Sequence, residues 1–339
     1  MNLSRREFLK LSGLAFGAAL LPTFAAQAEP LRRPVLLGRT IYLNNVFDRP
    51  SLQAKHVSVI PAGSVFSIYG TVTSDDNAYN RTWYESEQGY VHSASVQPVR
   101  WEIQTPRLDI PAAGFLGEVT VPFTAAQNGP GQHYNTAYRY YYSTTYWITA
   151  AQRLNDGSIW YQSLDDRTLK TYWVRGEHIR QVSDAEMAPI DPDVADKHIE
   201  VNLAKQTFRA FQSGQVVLET LCSTGPYLRT ENGKRIFGTP AGDWSILRKR
   251  PTRHMAGDDA ASADFFDLPG VPWVSYFHWW GVSIHGTYWH NDYGRPRSHG
   301  CVNLPPEAAK WIFRWSMPQA GIEQKETLAD GNGTPMIVL

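Results

Sequence analysis

The sequence predicts a mainly β protein with one helix of consequence, and three observations carry that reading. First, aromatic and β-branched residues alternate with polar ones along much of the chain, as at 64–72 (SVFSIYGTV) and 138–150 (YRYYYSTTYWITA). Second, 22 prolines and 26 glycines punctuate those runs, as turn-rich β folds require. Third, residues 35–182 carry a weak internal duplication, so two small β units precede a third region. At 339 residues the chain is long enough for two or three domains.

The elements follow in order. Residues 1–28 stand apart from the fold. SRREFLK (4–10) is a charged opening, LSGLAFGAALLPTFA is a short apolar stretch, and Ala26-Gln27-Ala28 is a cleavage-site pattern. The Arg5-Arg6 pair before Phe8-Leu9 resembles a twin-arginine export signal, which implies an extracytoplasmic protein in the periplasm or cell wall. The apolar stretch is too short for a comfortable membrane span, so membrane contact is expected only through an uncleaved signal. Lysine plus arginine equals aspartate plus glutamate at 32 each, and this balance argues against a nucleic-acid partner.

The first β unit is read as 35–99 and the second as 100–182. LLGRTIYLNN (36–45) has its counterpart in FLGEVTVPFT (115–124), and WYES (83–86) in WYQS (160–163). Tyr90-Val91, Val96 and Val99 recur with the same spacing as Trp173-Val174, Ile179 and Val182. Trp83 and Trp160 are read as core, and the tyrosines at 138–142 as core or groove. These paired motifs resemble bacterial SH3-like domains, which implies two small barrels that bind wall or act as spacers. Residues 183–195 (SDAEMAPIDPDVA) read as a linker.

The final domain, 196–339, opens with alternating strands over 197–220, turned at Gln212-Ser213-Gly214-Gln215. STGP (223–226) and TPAGDWSIL (239–247) follow, then a long basic segment from Arg248 to Trp273. A helix is expected over 304–317: Pro305 and Pro306 suit its first turn, and Trp311, Ile312 and Trp315 make one apolar face. TPMIVL closes the chain as a strand. With its own strand set, this domain is expected to act alone.

The chemistry gathers around RPRSHGCVNL (295–304). A cysteine nucleophile needs a base, a group that orients the base, and donors for the oxyanion. Gly300 permits a sharp turn, so the N–H groups of 299–301 can converge beside the Cys301 sulfur. The base is His285 or His299. His285 closes the alternating strand GVSIHG, where a backbone carbonyl can fix its tautomer. No histidine follows Cys301, which is the reverse of papain-like order. The histidines at 278, 285, 290 and 299 match no metal spacing, so no metal or cofactor is expected. His278 and His290 read as packing or groove residues. Cys222, in LETLCSTG, reads as a buried apolar residue rather than half of a disulfide.

IHGT followed by GRPRSHGCVNL resembles the signature of the L,D-transpeptidases, the YkuD-like catalytic domain, and the likeness extends over 196–339. It implies a β-sandwich-like domain. It also implies that Cys301 attacks the bond between an L-centre diamino acid and D-Ala in a peptidoglycan tetrapeptide stem. By position, His285 matches the base, Gly286 the carbonyl that orients it, and His299, Gly300 and Cys301 the oxyanion segment. Ser298, Asn303, Arg253, Tyr288 and Trp289 are the substrate-binding candidates. The basic segment resembles the family's cleft-covering loop, and its Arg248, Lys249, Arg250 and Arg253 read either as contacts for stem carboxylates or as a solvated basic surface. The implied partners are stem peptides and, as an acceptor, a neighbouring stem or a wall-attached protein, with the enzyme a monomer. Water as acceptor would make it an L,D-carboxypeptidase. An inactive wall-binding protein is the non-enzymatic alternative.

Overall fold

Alternating residues in 36–99 pair into two small antiparallel sheets around one core. A computed structural model describes residues 32–226, 229–231, 234–236, 238–257, 265–321 and 323–339. The export-signal reading and the tip of the basic segment, 258–264, lie outside the described residues.

In the first unit, Leu36–Thr40 pairs with Val65–Ile68 and Val96–Val99. Asn44–Phe47, His56–Ile60, Gly70–Thr73, Thr82–Ser86 and Gly89–His92 form a five-stranded sheet. Val46, Ile68, Tyr84, Val91 and Val96 fill the core. Trp83 is buried and meets Phe47 edge-on at 5.3 Å.

The second unit repeats that strand order in a single seven-stranded sheet. Its long strand Thr145–Arg153 takes the place of two first-unit strands, Val65–Ile68 and Gly70–Thr73. The first unit breaks between them at Tyr69, and the second unit has a register shift at the same place, between Ile148 and Ala150. A bulge or break there lets the strand bend between its two sets of neighbours. The duplication in sequence is therefore also a duplication of topology.

The last region stacks two five-stranded sheets. One holds Lys197–Asn202, Thr207–Gln212, Gln215–Leu221, Gly242–Ser245 and Pro335–Val338. The other runs Val302–Leu304, Ser283–Gly286, Asp267–Tyr276, Arg248–Ala256 and Thr327–Leu328. The helix is Pro306–Trp315, narrower than 304–317, with Ala309, Ile312, Phe313 and Trp315 buried. Two buried lysines satisfy carbonyls at its C-terminus. Lys249 Nζ donates to Phe313 O (2.8 Å) and Ser316 O (2.5 Å), and Lys197 Nζ donates to Trp315 O (3.0 Å). Cations belong at that end of a helix, where free carbonyls carry partial negative charge.

Two expectations need correction. Most of the basic segment is not a covering loop, because Arg248–Ala256 and Asp267–Tyr276 are paired strands of the second sheet. Strand alternation turns Lys249 inward and ties it to the helix. Residues 183–195 are not a loose linker either. Met187 is buried, and Glu186 bonds both Arg180 (2.7 Å) and Lys310. Leu116, Trp147, Val182 and Met187 share one apolar core with Ile199, Phe208, Ile284 and Val302. Residues 34–339 accordingly form one compact unit.

Candidate active site

Strand register builds the site. Arg248 lies opposite Tyr276, and Tyr276 opposite Ser283. The parallel pairing of Ile284 with Val302 puts Cys301 beside Ser283. Directly opposed residues share a sheet face, so one row runs from Arg248 through Tyr276 and Ser283 to Cys301. His285 and Asn303, two residues further along their strands, share that face. The opposite face, with Ile284 and Val302, packs into the main core.

Cys301 Sγ lies 3.6 Å from Ser283 Oγ. Burial pushes its thiol above the usual range, while the Ser283 hydroxyl and N–H partly offset this. His285 is buried, and its Nδ1–H donates to Gly286 O at 3.0 Å. That bond fixes the tautomer and leaves Nε2 as the free acceptor. Burial holds the ring at about 4, so it is neutral in the physiological range. A Cβ at Gly286 would sit 3.0 Å from both Pro272 and Pro306, so this strand end has room only for glycine's hydrogen.

Three sequence motifs brace the cysteine loop. Gly300 takes φ +130°, a region that favours glycine. Ser298 Oγ donates to Cys301 O (2.5 Å) and accepts from the Gly300 N–H (3.1 Å). Thr239 of TPAG donates to Gly300 O (2.7 Å), and its hydroxyl accepts from Gly225 N–H of STG (2.8 Å). A Cβ at Gly225 would lie 2.7 Å from Gly300 N. Thr224 O accepts from the N–H groups of Arg297 (2.9 Å) and Ser298 (3.1 Å).

Residues 196–338 match the family model described as the YkuD L,D-transpeptidase catalytic domain. This region is the YkuD-like domain of the chain. No curated protein matches the chain. Among solved structures, the Enterococcus faecium L,D-transpeptidase is 26% identical over 44% of this chain and 51% of that one, with a TM-score of 0.32. The catalytic domain from E. faecium is 28% identical over 43% of this chain and 98% of that one, with a TM-score of 0.32. The L,D-transpeptidase from Mycobacterium smegmatis is 19% identical over 54% and 90%, with a TM-score of 0.34. The chain spans about half the length of the first of these.

Within the YkuD domain the structure sorts the sequence candidates. Cys301, His285, Gly286 and Gly300 come together. His299 is exposed and stacks on Phe266 at 5.1 Å. Trp289 lies beside His285, with ring centroids 5.6 Å apart. Asn303 is buried and contacts His290 Nε2 at 2.9 Å. His290 Nδ1 accepts from the Asp292 N–H, so Nε2 carries the proton and the Asn303 amide oxygen belongs on its side. That orientation also gives Asn303 Oδ1 a bond it otherwise lacks among the described residues.

Two substrate-binding candidates sit elsewhere. Tyr288 is buried, donates to Pro269 O (3.0 Å) and stacks on Tyr141. Arg253 pairs with Asp166 at 2.7 Å. Its neighbours are also occupied: Arg248 and Arg250 bond Glu326, and Lys249 is fully buried. The arginines expected to meet stem carboxylates are thus already engaged by Asp166 and Glu326. Cys222 is a free, buried cysteine whose thiol burial pushes up to about 12. Ser283 was missed by sequence reasoning, although its place two residues before His285 on an alternating strand signals a shared face.

Proposed function

We propose that the protein is an exported L,D-transpeptidase that acts on peptidoglycan tetrapeptide stems. The observation that carries this is the pairing of a tautomer-locked, neutral His285 with Cys301 on one sheet face, inside a domain of the YkuD family. Both groups are uncharged at neutral pH, because burial raises the thiol and lowers the imidazole. Attack is therefore general-base assisted rather than a reaction of a standing ion pair.

Cys301 Sγ attacks the carbonyl between the diamino acid and D-Ala while Nε2 of His285 takes the thiol proton. The N–H groups of Cys301 and His299, unpartnered among the described residues, receive the oxyanion. Ser298 holds the Gly300 N–H and the Cys301 carbonyl, so it positions this turn. His285 returns the proton to the departing D-Ala amine, leaving a thioester on Cys301. An amine of a second stem or of a protein then forms the new amide and frees the thiol.

Incubation with a soluble tetrapeptide, read by mass spectrometry, tests the reading. A crosslinked dimer with loss of D-Ala is expected. A tripeptide alone would mean that water is the acceptor, and unchanged tetrapeptide would defeat the enzymatic reading. The acylation rate should stay level as pH falls through 6.5, the ordinary histidine value, and drop only near 4. A limb near 6.5 would remove His285 from the step.

A further inference from the structure

Arg39 is a buried cation without an anion. It is 4% exposed. Nε and Nη2 donate to Gln97 Oε1 (3.0 and 2.7 Å), and Nη2 also donates to Tyr288 O (2.6 Å). Both acceptors are neutral. Its guanidinium lies 4.2 Å from the Tyr141 ring centroid. Among the described residues no carboxylate pairs with it, and Nη1 has no partner. Burial depresses its pKa to about 10. Arginine is almost never this buried unless paired, because an isolated charge loses its hydration.

Arg39 borders a groove of about 370 Å³ where both β units meet the YkuD domain, walled by Arg139, Tyr138, Tyr141, Asp267 and Trp289. Arg139 is exposed and packs over Phe123 at 4.6 Å, with no acidic partner among the described residues. Asp267 is the acid in this lining, and it is already bonded to His254. Two arginines therefore face the groove against one carboxylate, Asp267. The three aromatic rings offer flat apolar walls. Trp289 lines the groove and also lies beside His285, with ring centroids 5.6 Å apart, so one side chain links the groove to the active site.

We propose that this groove binds the carboxylate of the acceptor stem peptide, held by Arg39 and Arg139, and directs its amine toward His285. This rests on the transpeptidase reading. On this reading the acyl donor takes the Ser283 side of Cys301 and the acceptor the His285 side, to which the groove is linked by Trp289. There an attacking amine can pass its proton to Nε2 as the amide forms, and the proton then returns to the released thiolate sulfur.

The test is calorimetric titration of the full chain, as wild type and as Arg139→Gln, with a soluble stem tripeptide and with its C-terminal amide. Arg139 is exposed, so its replacement leaves the fold intact. The wild type should bind the acid tighter than the amide by on the order of tenfold, as for loss of one charge-assisted contact. That preference should shrink in Arg139→Gln, and the acceptor KM for dimer formation should rise by a similar factor with kcat retained. Equal binding of acid and amide by the wild type, or an undiminished preference in the variant, overturns the proposal. Failure of the wild type to form an acyl-enzyme would defeat the transpeptidase reading, while the acid–amide comparison would still decide the groove.

Discussion

The two β units repeat one topology but meet the YkuD domain in different ways. The first unit keeps its own core and reaches across with polar contacts. Asn291 N–H donates to Ala94 O (3.0 Å), and the Asn291 amide contacts Tyr84 Oη (3.2 Å). Tyr79 Oη bonds Asp292, which Arg297 also grips (2.8 Å). All of these fall on the segment between His285 and Cys301. The second unit instead gives Leu116 and Trp147 to the YkuD core itself. It adds a buried polar seam, with Thr145 Oγ1 on Pro251 O (2.8 Å) and His254 held between Asp165 (2.5 Å) and Asp267. Duplicated folds have thus taken different places: one clips the segment between His285 and Cys301, and the other completes the core beneath it.

The sharpest way to break this comparison is truncation. A fragment of residues 196–339 should lack a cooperative thermal transition, because it exposes the apolar surface that Leu116, Trp147, Val182 and Met187 cover. A chain lacking only residues 35–99 should still melt cooperatively. If the fragment folds and acylates as well as the full chain, the second unit is a tether, as the sequence alone suggests.

The buried seam should also be visible in pH. Burial lowers His254, but its bonds to Asp165 and Asp267 outweigh that and leave it raised above 6.5. Its contribution to stability is fully present below 6.5 and lost as pH rises through the higher folded value. Burial raises Asp165, but His254 and Thr168 outweigh it and bring it to about 2, so its share is lost only as pH falls toward that value. Melting temperatures measured across the alkaline limb should fall less in Asp165→Asn, which starts lower, than in the wild type. Parallel curves would show that the seam carries no such linkage.

Smallest is the clip. Tyr79→Phe removes one hydroxyl at a half-exposed site, so the melting temperature should hardly move. Acylation should slow by roughly threefold as the segment between base and nucleophile loosens. An unchanged rate would make the first unit a bystander to the chemistry.

Much of this was legible in sequence because it is local. Alternation marked the strands, Gly300 marked the turn beside Cys301, and His285-Gly286 marked a histidine held by a backbone carbonyl. What escaped depends on partners far along the chain. Nothing near Arg253 announces Asp166, and nothing near Tyr288 announces that Tyr141 will stack on it. The basic run at 248–253 looks like one solvated cluster, yet pairing as a strand buries Lys249 while its neighbours find acids. Arg39 sits in an ordinary strand pattern. Only the meeting of three regions makes it a buried, unbalanced charge.

The central claim is that Cys301 carries the acyl group. Quenching the full chain during turnover of a tetrapeptide stem, followed by peptide mapping by mass spectrometry, tests it directly. The tripeptide acyl increment should appear on the peptide containing Cys301 and vanish in Cys301→Ala. An increment on Cys222, or continued turnover by Cys301→Ala, would contradict it.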